Sequence, residues 1–201
     1  MTAPDDIDGR TRCSWAEFAA ERWATPDAVL YRDYHDTEWG QPLRTSPELF
    51  ERMTLEAFQS GLSWLIILRK RDNFRRAFHY FDVARIARYG DGDVERLMAD
   101  VGIVRNRAKI DATITNARAV EELDVDLSEL LWSFAPEPRP RHAEMSMVPA
   151  VTPESTAMAK ELKRRGFKFV GPTTAYALMQ ATGMVDDHVA SCWVPTVRGG
   201  V

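Results

Sequence analysis

Apolar residues recur at helical spacing through most of this 201-residue chain, and no segment shows the sustained two-residue alternation of a half-buried strand. The clearest helix begins at Ser46, which we assign as the N-cap, with Pro47 at the first helical position and apolar residues continuing to Phe58. Gly61 interrupts this helix, and the apolar run 62–68 that follows is interpreted as a second, buried helix. The pattern predicts an all-α fold.

Shorter amphipathic segments, separated by glycine and proline, follow along the chain. The helices that we predict for them cover residues 73–81, 83–89, 93–99, 105–123, 127–134, 153–165 and 172–182. Four prolines between residues 136 and 149 predict an extended loop, because proline removes a helical hydrogen bond. Residues 1–11 are predicted to be a disordered leader, since their acidic, proline and glycine residues leave little to bury.

Composition narrows the class of protein. Hydrophobic residues make up 45% of the chain and charged residues 28%, which is typical of a globular protein with one core or two small lobes. No apolar run reaches the roughly 18 residues needed to span a bilayer, and the first residues lack a signal-peptide pattern. We therefore expect a cytoplasmic protein with no membrane partner. The formal net charge of −4 argues mildly against a general nucleic-acid binder but leaves room for a local basic face.

Two cysteines and two histidines provide a possible metal site. Thiolates and imidazoles suit tetrahedral zinc, and His188 and Cys192 have the spacing of neighbours one helical turn apart. Cys13 and His35 are too far apart in the sequence for a zinc finger, so spacing alone favours buried cysteines with ordinary histidines. If the four residues do bind a metal, they join the two ends of the chain in a structural site.

Glu56 lies on the same helical face as Leu49 and Met53, where an ionisable group is unexpected. Because burying a carboxylate is costly unless it is paired, Glu56 is a candidate site residue, although it could also reach solvent or pair with an arginine. Five aromatic residues could surround it as a slot for a flat, electron-poor or cationic ring, although aromatics at this density usually fill a core. They are Trp15, Tyr31, Tyr34, Trp39 and Trp64.

The segment 101–109 combines a glycine turn with basic residues at a helix start. Backbone amides near Gly102, together with Arg105, Arg107 and Lys109, could hold a DNA phosphate. Most helix–glycine–helix turns bind nothing, so the basic residues are what make this segment a candidate.

Ordered motifs spread over residues 12–193 resemble those of the bacterial DNA-3-methyladenine glycosylase I family. They are Arg12-Cys13-x-Trp15, Tyr34-His35-Asp36-x-Glu38-Trp39-Gly40-x-Pro42, Glu56, Gly61-Leu62-Ser63-Trp64, Gly102-Ile103-Val104-Arg105-Asn106-Arg107-x-Lys109-Ile110, Arg164-Arg165-Gly166-Phe167-Lys168-Phe169-Val170-Gly171 and Asp187-His188-x-x-x-Cys192. The resemblance implies a helix–hairpin–helix DNA glycosylase fold, with residues 12–201 as one unit of two interleaved helical lobes. One lobe combines the N- and C-terminal parts, and the other is centred on about residues 50–150 with the hairpin at 101–109.

The resemblance also implies a function in base-excision repair. A monofunctional glycosylase of this family flips N3-methyladenine out of double-stranded alkylated DNA and removes it by hydrolysis, which leaves an abasic site and free 3-methyladenine. One structural Zn²⁺ per chain is implied. Its ligands on the matching positions are Cys13, His35, His188 and Cys192. We expect a monomer, because the DNA must wrap one exposed face.

Individual roles carry over onto matching residues of this chain. The resemblance makes Glu56 the catalytic carboxylate that contacts the base. For base binding it implies a hydrogen-bonding phenol at Tyr34, a stacking indole at Trp64, and a wall formed by Trp15, Tyr31 and Trp39. For DNA binding it implies Gln59 and Leu62, near the gap left in the duplex, and Gly102, Arg105, Arg107 and Lys109 in the hairpin. One departure is the spacer between Trp15 and Tyr31, which is longer than that of the family.

The substrate's own charge shapes the implied mechanism. N3-methylation makes the adenine cationic, so the base leaves as a neutral molecule and strong acid catalysis is unnecessary. The enzyme has to extrude the nucleotide and recognise a cationic ring, which a carboxylate and aromatic faces suit. The family lacks the aspartate of many related glycosylases, and Asp124 is a candidate replacement by its distance from the hairpin. Two alternatives stay open: a non-catalytic damage binder, and a zinc-stapled helical scaffold for protein partners.

Overall fold

The computed structural model describes residues 8–17 and 25–196, and every regular element within these ranges is helical. The α-helices in chain order are α1 (Ser14–Glu17), α2 (Thr25–Thr37), α3 (Ser46–Gln59), α4 (Trp64–Ala77), α5 (Val83–Ala87), α6 (Asp91–Ala99), α7 (Arg107–Glu121), α8 (Leu127–Trp132), α9 (Pro153–Arg164) and α10 (Pro172–Ala181). Two 3₁₀ helices span His79–Phe81 and Met145–Met147. The prediction of an all-α fold is confirmed. None of the helices in these two ranges is long and apolar enough to cross a membrane.

The start of α3 differs by one residue from the prediction. Thr45, in an extended conformation, is the N-cap, and Ser46 is the first helical residue. The Ser46 hydroxyl donates to the carboxylate of Asp126, the N-cap of α8, at 2.7 Å. Thr45 and Ser46 are both capping residue types, so their order along the chain does not decide between them. Their tertiary partners do.

The chain from Trp64 to Ala77 forms one helix, where the sequence pattern predicts a break before residue 73. The prediction is wrong because no glycine or proline interrupts this segment, and its basic residues continue the helix. The 3₁₀ helix His79–Phe81 follows, with φ angles of 52–56° at all three residues. The ends of α5 to α10 lie within two residues of their predicted positions.

The central helix of the fold is α3, which packs against α4, α7, α8 and α10. As a result, every residue from Arg52 to Phe58 is buried, although consecutive residues point to all sides of a helix. Apolar side chains around it form one contiguous core cluster that extends from Cys13 to Val194. A polar side chain on this part of α3 has to find its partners inside the protein. Both Arg52 and Glu56 are in that position.

The two ends of the described chain lie side by side. The backbone N–H of Trp193 donates to the carbonyl of Thr11 at 2.8 Å. Arg12 is buried against α2, where its guanidinium pairs with Asp36 at 2.8 Å. Residues 1–7 of the predicted leader lie outside the described residues. The division into two interleaved lobes stays a prediction.

Candidate active site and metal centre

A cavity of about 240 Å³ opens beside α3. It is lined by Glu56 and by all five aromatic residues that the sequence pattern singles out, namely Trp15, Tyr31, Tyr34, Trp39 and Trp64. Sites for drug-sized ligands usually measure about 300–1,000 Å³, so this volume suits one small ring system. The fold therefore brings together residues that are as much as 49 positions apart in the sequence, from Trp15 to Trp64.

Glu56 is the acidic group of the cavity, and it is only 5% exposed. Burial raises the pKa of Glu56 to about 7, while the positive charge of Arg52, one turn earlier on α3, acts in the opposite direction. At neutral pH the carboxyl group is therefore divided between its neutral and ionised forms. A cation entering the cavity favours the ionised form. The interpretation of Glu56 as a solvent-reaching surface residue is excluded by its burial.

Tyr34 is buried with its hydroxyl held by an arginine. Arg52 Nη1 donates to Tyr34 Oη at 2.7 Å. The guanidinium carbon of Arg52 lies 5.3 Å from the centre of the Tyr34 ring and 5.5 Å from that of Trp64. Burial raises the pKa of Tyr34 well above its usual range, so the phenol stays protonated at neutral pH. Tyr34 thus keeps an O–H group to donate.

The aromatic walls meet at steep angles. Trp15 stands edge-on to Tyr31 and to Trp39, with ring centres 5.2 Å apart in both pairs. The rings of Tyr34 and Trp64 are 5.4 Å apart and tilted by 47°. Within the described residues, the buried Nε1 of Trp64 has no hydrogen-bond partner. Since an unpaired buried donor is unfavourable, an acceptor on a bound ligand would be stabilised there.

Three further residues that the sequence pattern does not single out line the cavity: Met145, Ala177 and Gln180. Gln59, which the resemblance places near the duplex gap, lines it as well. Gln180 is anchored by its amide nitrogen, which donates to Asp187 Oδ2 at 2.9 Å. No local signal marks these residues, because Ala177 and Gln180 reach the cavity through the packing of α10 against α3, and Met145 lies in a separate 3₁₀ helix.

The four predicted metal ligands form one buried cluster, and their donor atoms lie within 4.8 Å of one another. His188 Nδ1 is 3.6 Å from Cys13 Sγ and 3.4 Å from Cys192 Sγ. His35 Nε2 is 3.7 Å from Cys192 Sγ. With zinc bonds of about 2.3 Å to sulfur and about 2.0 Å to nitrogen, neighbouring tetrahedral donors are about 3.5 Å apart. The cluster has the spacing and the chemistry to hold a metal ion.

A second hydrogen bond orients each imidazole. His35 Nδ1 lies 2.7 Å from Asp36 Oδ1, and His188 Nε2 lies 3.1 Å from the carbonyl oxygen of Trp39. A carboxylate and a carbonyl only accept, so these nitrogens carry the protons and the opposite ring nitrogens face the sulfurs. The spacing between His188 and Cys192 is spanned by an irregular turn, not by the helical turn that the sequence pattern indicates.

The metal cluster and the cavity share their walls. The ring of Trp39 is 4.7 Å from that of His188, and the ring of Trp15 is 5.0 Å from that of His35. Both indoles also line the cavity. A displaced histidine therefore moves a wall of the cavity.

The predicted phosphate-binding segment joins α6 to α7 through residues 100–106. The backbone N–H of Gly102 is already bonded to Asp100 Oδ1 at 2.7 Å. A Cβ atom at position 102 would lie 2.8 Å from that oxygen and 3.1 Å from Asn73, so close packing explains the glycine. The amide of Gly102 is thus used within the turn, and a contact of Gly102 with DNA stays a prediction.

The basic residues of this segment divide into two groups. Lys109 is buried, and its Nζ donates to the carbonyl oxygens of Phe58 at 2.8 Å and Ser60 at 2.6 Å. The ammonium group of Lys109 is thus bonded to the end of α3, and a contact of Lys109 with DNA stays a prediction. Arg105 and Arg107 are exposed at the start of α7, where they are accessible to a phosphate.

Leu62 lies in the tight turn between α3 and α4. Its backbone N–H donates to the carbonyl of Gln59 at 2.6 Å, and Gly61 takes a φ of 80°. Leu62 is 38% exposed.

The profile of a family described as methyladenine glycosylase matches residues 23–195 of this chain. The chain belongs to the methyladenine glycosylase family. DNA-3-methyladenine glycosylase 1 of Escherichia coli (strain K12) is 46% identical to it over 175 residues, which is 85% of this chain and 93% of that protein. A crystal structure of 3-methyladenine DNA glycosylase I matches with a TM-score of 0.82 and 45% identity, covering 91% of this chain and 98% of that one. A structure of the Staphylococcus aureus enzyme, described for its recognition of 3-methyladenine, matches with a TM-score of 0.79 and 34% identity over 84% and 93% of the two chains.

Two expectations about this glycosylase concern the long spacer and Asp124. Part of the spacer, residues 18–24, lies outside the described residues, while Trp15 and Tyr31 on either side of it meet at the cavity. Asp124 is 74% exposed and pairs with Arg165, and it is not among the residues that line the cavity. Asp124 is therefore excluded as a replacement for the aspartate of related glycosylases.

Proposed function

We propose that this glycosylase flips N3-methyladenine out of double-stranded alkylated DNA and hydrolyses its glycosidic bond. The products are an abasic site and free 3-methyladenine. The names of its relatives support this substrate, since the Escherichia coli protein is named for it and the Staphylococcus aureus enzyme is described as recognising it. We also propose that the protein acts as a monomer in the cytoplasm.

The observation that carries the proposal is a buried carboxylate among aromatic faces. N3-methyladenine is a fixed cation in DNA, whereas adenine is neutral. The ionised form of Glu56 attracts the cation more strongly in the low-dielectric interior than it would in water, and the aromatic faces add cation–π attraction. The carboxylate also accepts a hydrogen bond from the exocyclic amine of the base. The cavity therefore favours the damaged base over the normal one.

The chain's own residues hold and orient the base. Trp64 stacks on the ring, and its unpaired Nε1–H is available to an acceptor. Tyr34 donates its O–H to a ring nitrogen. Trp15, Tyr31 and Trp39 complete the wall and keep water from the base edge. Because the methylated base leaves as a neutral molecule, extrusion and recognition are the steps that need the protein.

The DNA lies across the turn of Leu62 and the start of α7 in this proposal. Leu62 enters the gap left by the flipped nucleotide, with Gln59 at its edge. Arg105 and Arg107 are exposed and contact the phosphate backbone. These contacts position the duplex without reading its sequence.

We also propose that the buried cluster binds one structural Zn²⁺ per chain. Its ligands are Cys13, His35, His188 and Cys192. Four protein ligands leave no position for water, so the ion joins the two ends of the chain and takes no part in the chemistry. The hydrogen bond between the two thiols lowers the pKa of Cys192 and raises that of Cys13, whereas a bound cation favours the thiolate form of both.

Replacing the carboxylate by its amide tests the proposal. Glu56→Gln keeps the shape of the side chain and removes its charge, so we expect a loss of at least about 100-fold in 3-methyladenine release, as for other positioned acid or base groups. The measurement is free base released from methylated duplex DNA under single-turnover conditions.

Glu51→Gln is the matched control, because Glu51 lies on the same helix but pairs with Arg75 near the surface. We expect its rate to equal that of the wild type. A wild-type rate for a folded Glu56→Gln protein would remove Glu56 from the mechanism, and no release by the wild type would reject the proposed substrate.

A further inference from the structure

Arg52 is a buried cation next to a cavity that we propose to accept another cation. Its side chain is 9% exposed, and it lies on α3 one turn before Glu56. A buried charge is unfavourable unless it is paired and hydrogen-bonded. The contacts that stabilise this guanidinium therefore indicate its role.

One side of Arg52 is held by an ion pair from outside the cavity. Its Nη2 is 3.6 Å from Glu38 Oε2. Glu38 is in turn bound by both terminal nitrogens of Arg71, at 2.5 and 2.9 Å. Such a two-point contact fixes the carboxylate in direction as well as in position. Arg71 and Glu38 therefore hold the guanidinium of Arg52 from behind.

The other side of Arg52 faces the cavity through Tyr34. A guanidinium has donors only, so in the 2.7 Å contact between Arg52 Nη1 and Tyr34 Oη the phenol is the acceptor. A tyrosine hydroxyl has a single hydrogen, which then has to point away from Arg52. Tyr34 lines the cavity together with Glu56, so an acceptor bound there is available to that hydrogen.

We propose that Arg52 is a positioning residue that makes Tyr34 a hydrogen-bond donor to the flipped base. The chain Arg71–Glu38–Arg52–Tyr34 sets the direction of the hydroxyl before the base arrives. Without Arg52 the phenol rotates freely, and part of the population offers the base a lone pair instead of a hydrogen. The inference rests on the proposed role of Tyr34 in base binding.

The local charge balance agrees with this role. Arg52 and Arg71 carry two positive charges, and Glu38 and the ionised Glu56 carry two negative ones. A cationic base therefore does not meet a net positive wall. The guanidinium is also turned toward the carboxylate of Glu38 and the phenol oxygen, and is not itself among the groups that line the cavity.

A double-mutant cycle tests the proposal. The variants are Arg52→Met, Tyr34→Phe and the combination of both, compared by single-turnover release of 3-methyladenine. Each single variant is expected to lose about 3- to 10-fold, the factor that corresponds to one hydrogen bond. The double variant is expected to be no more than about 2-fold slower than Tyr34→Phe, because Arg52 has nothing to orient once the hydroxyl is gone.

The cycle is measured at about pH 9 to separate this role from the charge of Arg52. With Arg52 present the pKa of Glu56 is about 7, so the carboxylate is ionised there. Loss of the positive charge of Arg52 raises this pKa, so the variant that keeps the charge is compared at the same pH. The other ionisable groups that face Glu56 are Tyr31 and Tyr34, whose pKa values are raised by burial, and both stay neutral. Arg52→Lys keeps the charge and a donor, and is expected to recover part of the lost rate in the wild-type background but none with Tyr34→Phe.

Arg75→Met is the matched control, since it also removes an arginine from the α3–α4 interface but one that pairs with Glu51. Its rate is expected to be unchanged. If Tyr34→Phe releases base at the wild-type rate, the role of Tyr34 fails and the inference with it. If Tyr34→Phe is slow but the losses multiply in the double variant, the inference alone is overturned. Should Arg52→Met not fold, the cycle with Arg52→Lys decides between the same outcomes.

Discussion

At the scale of single residues, the chemistry of this glycosylase is set by where α3 places its polar side chains. Glu56 is an acid without access to bulk water, and Arg52 is the nearby charge that favours its ionised form. The raised pKa is useful because a carboxylate poised near neutral pH responds to a cation and not to a neutral base. The ionised form of Glu56 also makes the fold less stable, because a buried carboxylate is costly to ionise.

The pH dependence of activity follows from Glu56. We expect kcat/KM for 3-methyladenine release to increase with pH, with its midpoint at about pH 7, because only the ionised carboxylate favours the cation. The methylated base keeps its charge over this range, so the profile reports the enzyme. Initial rates between about pH 5 and pH 9 measure it. A profile that is flat through pH 7 contradicts the assignment.

The pH dependence of stability has the opposite sign. The pKa of Glu56 is about 7 in the fold and about 4.5 in a solvated glutamate, so the folded state binds the proton more tightly. Its contribution to stability is largest below about pH 4.5 and falls as the pH rises to 7, by about 3 kcal/mol in total. We expect Glu56→Gln to be more stable than the wild type by up to this amount at about pH 8, and similar at about pH 4. Urea unfolding at both values checks this, and equal differences at the two would contradict it.

At the scale of helices, Lys109 connects the two segments that are proposed to contact DNA. It lies in the first turn of α7, beside the exposed Arg105 and Arg107, and its ammonium is bonded to the last carbonyls of α3. A cation at the C-terminal end of a helix is favoured by the helix dipole. The turn that carries Leu62 follows these carbonyls directly. Lys109 thus fixes the distance between Leu62 and the start of α7.

We therefore expect Lys109→Met to slow base release from DNA more than it weakens binding of the free base. Loss of the two charged hydrogen bonds should destabilise the protein by about 2 kcal/mol and slow base release from DNA. The affinity for free 3-methyladenine, followed by tryptophan fluorescence, should stay within about 2-fold of the wild type because Lys109 does not line the cavity. Equal losses in both measurements would show a general defect. Lys109→Arg serves as the conservative control.

The salt dependence of DNA binding tests Arg107. Removing one phosphate contact makes the negative slope of log K for DNA binding against log salt concentration shallower by about 1. We expect this change for Arg107→Met. Arg164→Met is the matched control, since its side chain is 65% exposed compared with 60% for Arg107 and each pairs with an acid on its own helix. Arg164 lies on α9, outside the proposed DNA contacts. A slope that changes equally in both variants would indicate net charge and not a contact.

At the scale of the whole molecule, the two ends of the chain meet at the cluster of cysteines and histidines. Cys13 lies next to α1, and Cys192 is near the end of the described chain. The histidines of the cluster contact Trp15 and Trp39, which also line the cavity. The joining of the two chain ends and the shape of the cavity therefore depend on the same few side chains.

We expect the purified protein to contain one zinc per chain by elemental analysis. The free energy of zinc binding to small structural sites is about 10–16 kcal/mol, comparable with the whole stability of a domain, so chelation should lower the unfolding temperature strongly. It should also weaken the binding of free 3-methyladenine, because Trp15 and Trp39 lose their support. His35→Ala should reproduce both effects. An absence of zinc from the protein, or unchanged binding of 3-methyladenine after zinc is removed, would contradict this link between the metal site and the cavity.

What the sequence alone determined is the set of local signals. The helical period, the cap-plus-proline starts and the glycine stops are each contained in about ten residues, so α3 and α5 to α10 could be predicted to within two residues, whereas α2 was not predicted. Glu56 could be identified as a candidate because its place on an apolar stripe is also a local property. Where local signals were equal, as for Thr45 and Ser46, or silent, as before residue 73, the prediction was wrong.

Only the tertiary structure decided which side chains are buried next to one another, away from solvent. Lys109 and Arg107 look alike in the sequence, yet the long stem of the lysine reaches inward to α3 while the arginine stays in solvent. Gln180 lines the cavity and Arg52 bonds to Tyr34 only because helices far apart in the chain pack together. The physical reason is that burial and hydrogen bonding depend on all packed neighbours at once, whereas helix formation depends on the nearest few residues.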